Sequence, residues 1–160
     1  MIFGMNTFTA FHVLLSLIGI ASGLVVLTGL LTANLMKGWT LLFLVTTLAT
    51  TLTGFLFPFG GFTPALGVGV LSTLILVVTL AARYRFHLTG AWRWIYVVGA
   101  VLAQYLNSFV LVVQSFLKIP ALHALAPAGT EPPFAAAQGV VLLFYLVTGF
   151  LAVKRFHPTV

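Results

Sequence analysis

Five long stretches of Leu, Val, Ile, Phe and Ala follow one another along the chain, parted by short breaks of Pro, Gly and charged residues. The apolar runs lie at about 9–32, 39–58, 65–82, 92–117 and 134–153, each long enough for a helix to cross a hydrocarbon core, which takes about 17–25 residues. Between them stand the polar Asn34 to Gly38, the breaker-rich Pro58 to Pro64 and the basic Arg83 to Ala91. Lys118 to Pro133 follows, carrying Pro120, Pro127, Pro132 and Pro133. Strand-like alternation of polar and apolar residues does not recur, and open strands cannot satisfy their backbone in lipid, so the runs predict helices. The expected fold is all-α: a single domain over 1–160 built as a polytopic membrane bundle of five transmembrane helices in a lipid bilayer.

Polar residues inside these runs mark the faces that matter. In the fourth run Gln104, Asn107, Gln114 and Lys118 fall broadly along one stripe at 100° per residue, with Ser108 and Ser115 beside them. An amide in hydrocarbon must find a partner, so the stripe predicts either hydrogen bonds between helices or the wall of a polar cavity. Gly19 and Gly23 in the first run match the small-xxx-small spacing of close helix contacts. Thr46, Thr47, Thr50, Thr51 and Thr53 in the second run can bond carbonyls of their own helix. Gln138 and Tyr145 share nearly one face of the fifth.

Charge then orients the bundle. Charged residues make up only 5% of the chain and mean hydropathy is +1.21, values that belong in a bilayer. Lys37, Arg83, Arg85, Arg93, Lys154 and Arg155 gather on one side of the threading, whereas the other side holds Lys118 and Glu131. The positive-inside rule therefore predicts the N-terminus outside and the C-terminus in the cytoplasm; Trp39, Trp92 and Trp94 flank the same inner side. The net charge of +6 thus reads as topological anchoring, and no nucleic-acid partner is expected. Met1 to Phe11 lacks Lys and Arg, so the first run is expected to stay as a span instead of serving as a cleavable signal.

The inventory excludes several chemistries. With one Glu and no Asp, paired-carboxylate hydrolysis and a Ser-His-Asp triad cannot be assembled. The absence of Cys removes thiolate metal sites and covalent haem, and no two of His12, His87, His123 and His157 have ligand spacing on one helix. No ionisable residue lies near the middle of a run, which disfavours a proton or ion relay. On the five-span threading, His12, Gln114, Lys118, His123, Glu131 and Gln138 collect in the outer third or the outer loops. With Gln104, Asn107 and Tyr145 below them, they form the candidate ligand or interface site. The Lys118 to Pro133 loop is expected to hold a short interfacial turn between Pro120 and Pro127, folded over the bundle with His123 at its polar edge.

The segments from Ala91 to Ala100 and from Ile119 to Pro127 resemble those of small bacterial inner-membrane proteins. The resemblance implies a bacterial inner-membrane setting and brings no activity or site residue with it. The leading expectation is a non-enzymatic accessory or structural subunit of a membrane assembly or homo-oligomer, with other membrane subunits or itself as partner and no cofactor. The alternatives are a binder of a hydrophobic redox molecule, quinone or haem b, at the outer pocket, and a small transporter or lipid-handling protein.

Overall fold

The computed structural model describes residues 6–58 and 60–158. Phe59 of the expected breaker turn and the first five residues of the chain lie outside them. The described chain is helical: α1 (Thr7–Leu31), α2 (Lys37–Gly54), α3 (Pro64–Leu80), a π-helical turn (Ala81–Arg85), α4 (Trp92–Lys118), the short α5 (Pro120–Leu125) and α6 (Pro132–Arg155). Four segments are long and apolar enough to cross a membrane: Thr7–Leu31, Pro64–Arg85, Trp92–Lys118 and Pro132–Arg155. The 18-residue α2 is not among them, because Lys37 and its threonines dilute its apolar character.

Local chemistry sets the ends of these helices. Asn6 Oδ1 accepts a hydrogen bond from Thr9 N at 2.7 Å to start α1. Thr63 Oγ1 accepts one from Leu66 N at 3.2 Å to start α3, with Pro64 in the first turn where no N–H is missed. α2 stops at Gly54, four residues short of the expected 58. Pro58 disfavours helical backbone in the residue before it, and the chain leaves through tight bonds such as Leu56 N to Thr53 O at 3.1 Å. At the far end of α3 the helix widens and continues to Arg85, closed by Phe86 N bonding Ala81 O at 3.0 Å. His87 and Leu88 then take positive φ of 48° and 60°, and the buried Leu88 anchors this turn in the core.

α1 packs on α2, α4 and α6, while α3 lies between α2 and α4. The pairs α1–α2 and α4–α6 run antiparallel: His12 near the start of α1 meets Thr53 near the end of α2, and Arg93 at the start of α4 meets the end of α6. The core is not evenly spread. Leu30, Phe43, Leu44, Leu76, Tyr96, Val97, Ala152 and Phe156 fill the half of the bundle whose helix ends carry the basic residues. α1 buries residues only from Gly19 onward and α6 only from Tyr145 onward. Towards the opposite end most helix residues are half-buried or exposed, Thr51 of α2 and Phe116 of α4 being buried exceptions, and α5 packs against α4 without burying any of its own residues.

Candidate functional site

The polar side chains within the helices form a seam where α1, α2, α4 and α6 meet. Gln104 is 1% exposed, and its Nε2 donates to the carbonyl of Ile20 at 2.8 Å. The two glycines of α1 make this approach possible. A Cβ at Gly23 would collide with Oε1 and Cδ of Gln104, and one at Gly19 would stand 3.3 Å from the hydroxyls of Thr46 and Thr47. Asn107, one turn further along α4, donates from Nδ2 to Thr47 Oγ1 at 3.1 Å. Ser108 and Tyr145 link α4 to α6 through a 2.7 Å bond between their hydroxyls, with Gln104 as a further polar neighbour of Tyr145. The expected inward stripe of α4 is therefore present at Gln104 and Asn107, each bonded to another helix.

Hydroxyls on α2 are mostly satisfied within their own helix. Thr46, Thr51 and Thr53 donate to the carbonyls of Leu42, Thr47 and Ala49 at 2.7, 2.9 and 2.7 Å, whereas Thr50 Oγ1 is buried without a partner. His12 is half-buried; its Nδ1 lies 2.8 Å from Thr53 Oγ1 and its ring meets Phe57 edge-on at 5.0 Å. Gln138 donates from Nε2 to the carbonyl of Phe109 at 3.2 Å and leaves its buried Oε1 unbonded.

The outer cluster separates into individually placed residues. Gln114 is exposed on α4 and makes no side-chain hydrogen bond to His12 or Gln138 among the described residues. The helical stripe assigns it the azimuth of Asn107, but the bundle does not cover that azimuth at its depth. Lys118 and His123 are exposed, at the end of α4 and on α5. Glu131 turns back on its own loop, its carboxylate accepting from Ala128 N at 2.9 Å and Thr130 N at 3.0 Å. Those N–H donors, Ala128 first, hold its carboxyl below the usual range. No group of three or more metal-ligating side chains gathers among the described residues.

Two features at the basic end escape the sequence pattern. Arg93 Nη1 donates to the carbonyls of Val153 at 3.1 Å and Phe156 at 2.6 Å, capping the free end of α6 from α4. Phe86 stacks on Trp92 at 3.9 Å and 5°, which pins the turn between α3 and α4. Residues this far apart in sequence leave no periodic signal. No family model matches the chain, and no curated protein or solved structure is similar to it.

Proposed function

We propose that this chain is a five-span protein of the bacterial inner membrane, N-terminus outside and C-terminus inside, that serves as an accessory or structural subunit packing against other membrane subunits or further copies of itself. The observation that carries the proposal is Gln114, an amide exposed on a helix apolar and long enough to cross a membrane. In hydrocarbon such a group needs a donor and an acceptor from a neighbouring protein. It lies towards the end of the bundle where the helices are least buried, which offers room for a partner helix. The other intramembrane amides already hold helices of this chain together, consistent with a packing role.

The fifth span rests on α2. Its 18 residues at about 1.5 Å each give about 27 Å, near the thickness of a hydrocarbon core. It runs antiparallel to α1, with the hydroxyls of Thr46, Thr51 and Thr53 bonded to carbonyls of its own helix, which offsets its lower apolarity. Reporter fusions after Val160 and within the Arg83 to Ala91 turn should both read cytoplasmic; a periplasmic signal at either site overturns the orientation.

The subunit role is tested by purification in mild detergent, mass measurement and identification of companions. The expected mass exceeds that of one 17.2 kDa chain, and Gln114→Leu is expected to release the companion. A lone monomer carrying a bound small molecule overturns the reading. A Soret band or an extractable quinone in that preparation would favour the redox-binder alternative.

A further inference from the structure

The outer surfaces of α3 and α4 enclose a groove of about 380 Å³, lined by Leu74 and Val78 on one side and Trp94, Val98, Gly99 and Leu102 on the other. The two helices come close because Gly99 has no side chain: a Cβ there would collide with the Thr79 hydroxyl. The walls are apolar and accessible, with Leu74 61% and Val78 46% exposed. At one end the helices are joined by the turn that carries Arg83 and Arg85. Arg85 is exposed, its guanidinium 5.8 Å from the Phe86 ring that stacks on Trp92. Arg83 has its Nε buried without a hydrogen-bond partner. Arg93 Nη1 is turned to the carbonyls at the end of α6, which directs that donor away from the turn. Among the described residues no carboxylate side chain answers these guanidinium groups: the single acidic residue, Glu131, stands at the start of α6, at the other end of the bundle, held by Ala128 and Thr130.

We infer that the α3–α4 groove is a site for an anionic phospholipid. One acyl chain lies along Leu74, Val78, Val98 and Leu102, and the headgroup phosphate is held by the arginines of the turn, Arg85 foremost, with Trp94 at the boundary between chain and headgroup. Apolar walls alone would accept any lipid. The unanswered positive charge at one end selects an anionic one, as basic pockets between membrane helices do. Guanidinium suits the task because its planar fork binds phosphate oxygens in pairs.

Trp94 makes the site directly readable. With Trp39→Phe and Trp92→Phe it becomes the single indole, and the protein is reconstituted in phosphatidylcholine nanodiscs containing brominated phosphatidylglycerol or brominated phosphatidylcholine at equal mole fraction. Brominated phosphatidylglycerol is expected to quench Trp94 at severalfold lower mole fraction. Arg85→Gln should weaken that preference about fivefold, the factor expected for one basic residue beside an anionic lipid, and adding Arg83→Gln should remove what remains. Val78→Phe, which fills the groove from an exposed position, should reduce quenching while helix content by circular dichroism stays unchanged. Equal quenching by the two lipids, or a preference that survives both glutamine substitutions, overturns the inference. So does an indole that neither lipid quenches while a second protein chain cross-links to it, since the groove would then be covered by protein.

Discussion

Replacing Gly23 with Ala tests the polar seam at its tightest point. The added methyl carbon would fall inside the van der Waals envelope of Gln104 Oε1 and Cδ and stand 2.9 Å from Phe43 Cδ2. Neither neighbour has space to retreat, for Gln104 and Phe43 are each 1% exposed. Either α1 moves away from α4 or Gln104 withdraws and gives up its 2.8 Å bond to the Ile20 carbonyl. Overpacking a tight core costs about 1–3 kcal/mol, and an interhelical bond in a membrane is worth about 0.6–2 kcal/mol. The loss of stability expected for Gly23→Ala runs from about 1 kcal/mol, if only one of these costs is incurred, to about 5 kcal/mol if both are. The assay is reversible unfolding in detergent, run as a double-mutant cycle with Gln104→Ala. Because that second change removes the atoms the methyl would strike, the double variant should lose at least about 1 kcal/mol less than the sum of the singles. Strict additivity would refute the claim that Gly23 exists to admit Gln104.

Three further outcomes follow from contacts already described. Tyr145→Phe removes the hydroxyl bonded to Ser108 and should cost about 0.6–2 kcal/mol, with Ser108→Ala adding little on top of it in the same unfolding assay. Arg93→Ala leaves the carbonyls of Val153 and Phe156 without their cap, and hydrogen exchange at the end of α6 should accelerate before that of the rest of the helix. The Glu131 carboxyl titrates below its ordinary value in the folded loop, so the order it confers is fully present above the unfolded value and is lost as pH falls through the folded one. Protease cleavage between Ala126 and Thr130 should therefore rise on acidification in the native chain and be insensitive to pH in Glu131→Gln.

Helix positions were largely legible because prolines punctuate the chain: Pro64 and Pro132 stand at helix starts, and Pro58 follows the end of α2. The inward direction of Gln104 and Asn107 was legible from periodicity alone. Gln114 was not, since a 100° step gives azimuth but no information on how far along its length a helix remains covered. Inclined helices touch over a few turns and part beyond them. Here the contact centres on the basic half, fixed by Gly19, Gly23 and Gly99, and Gln114 lies past it. For the same reason the polar residues assigned to the outer third share a depth without sharing a pocket. The carbonyls that Arg93 caps are backbone groups, and no side-chain pattern announces them.

The clasp between α4 and α6 also has a consequence for biogenesis. Arg93 and its first acceptor are 60 residues apart in the chain, so at about 5–20 residues per second the ribosome takes roughly 3–12 s to deliver one after the other. For that interval the nascent protein has an α4 whose entry is charged and unlatched, while α1, α2 and α3 are already available to pack on it. Docking of the last helix is thus a late, separate event in assembly, and the guanidinium waits for it among lipid headgroups. A translational pause or a premature stop ahead of Val153 would leave an insertion intermediate open at its basic end, exposed to quality-control proteases at the edge where the finished bundle is most tightly closed.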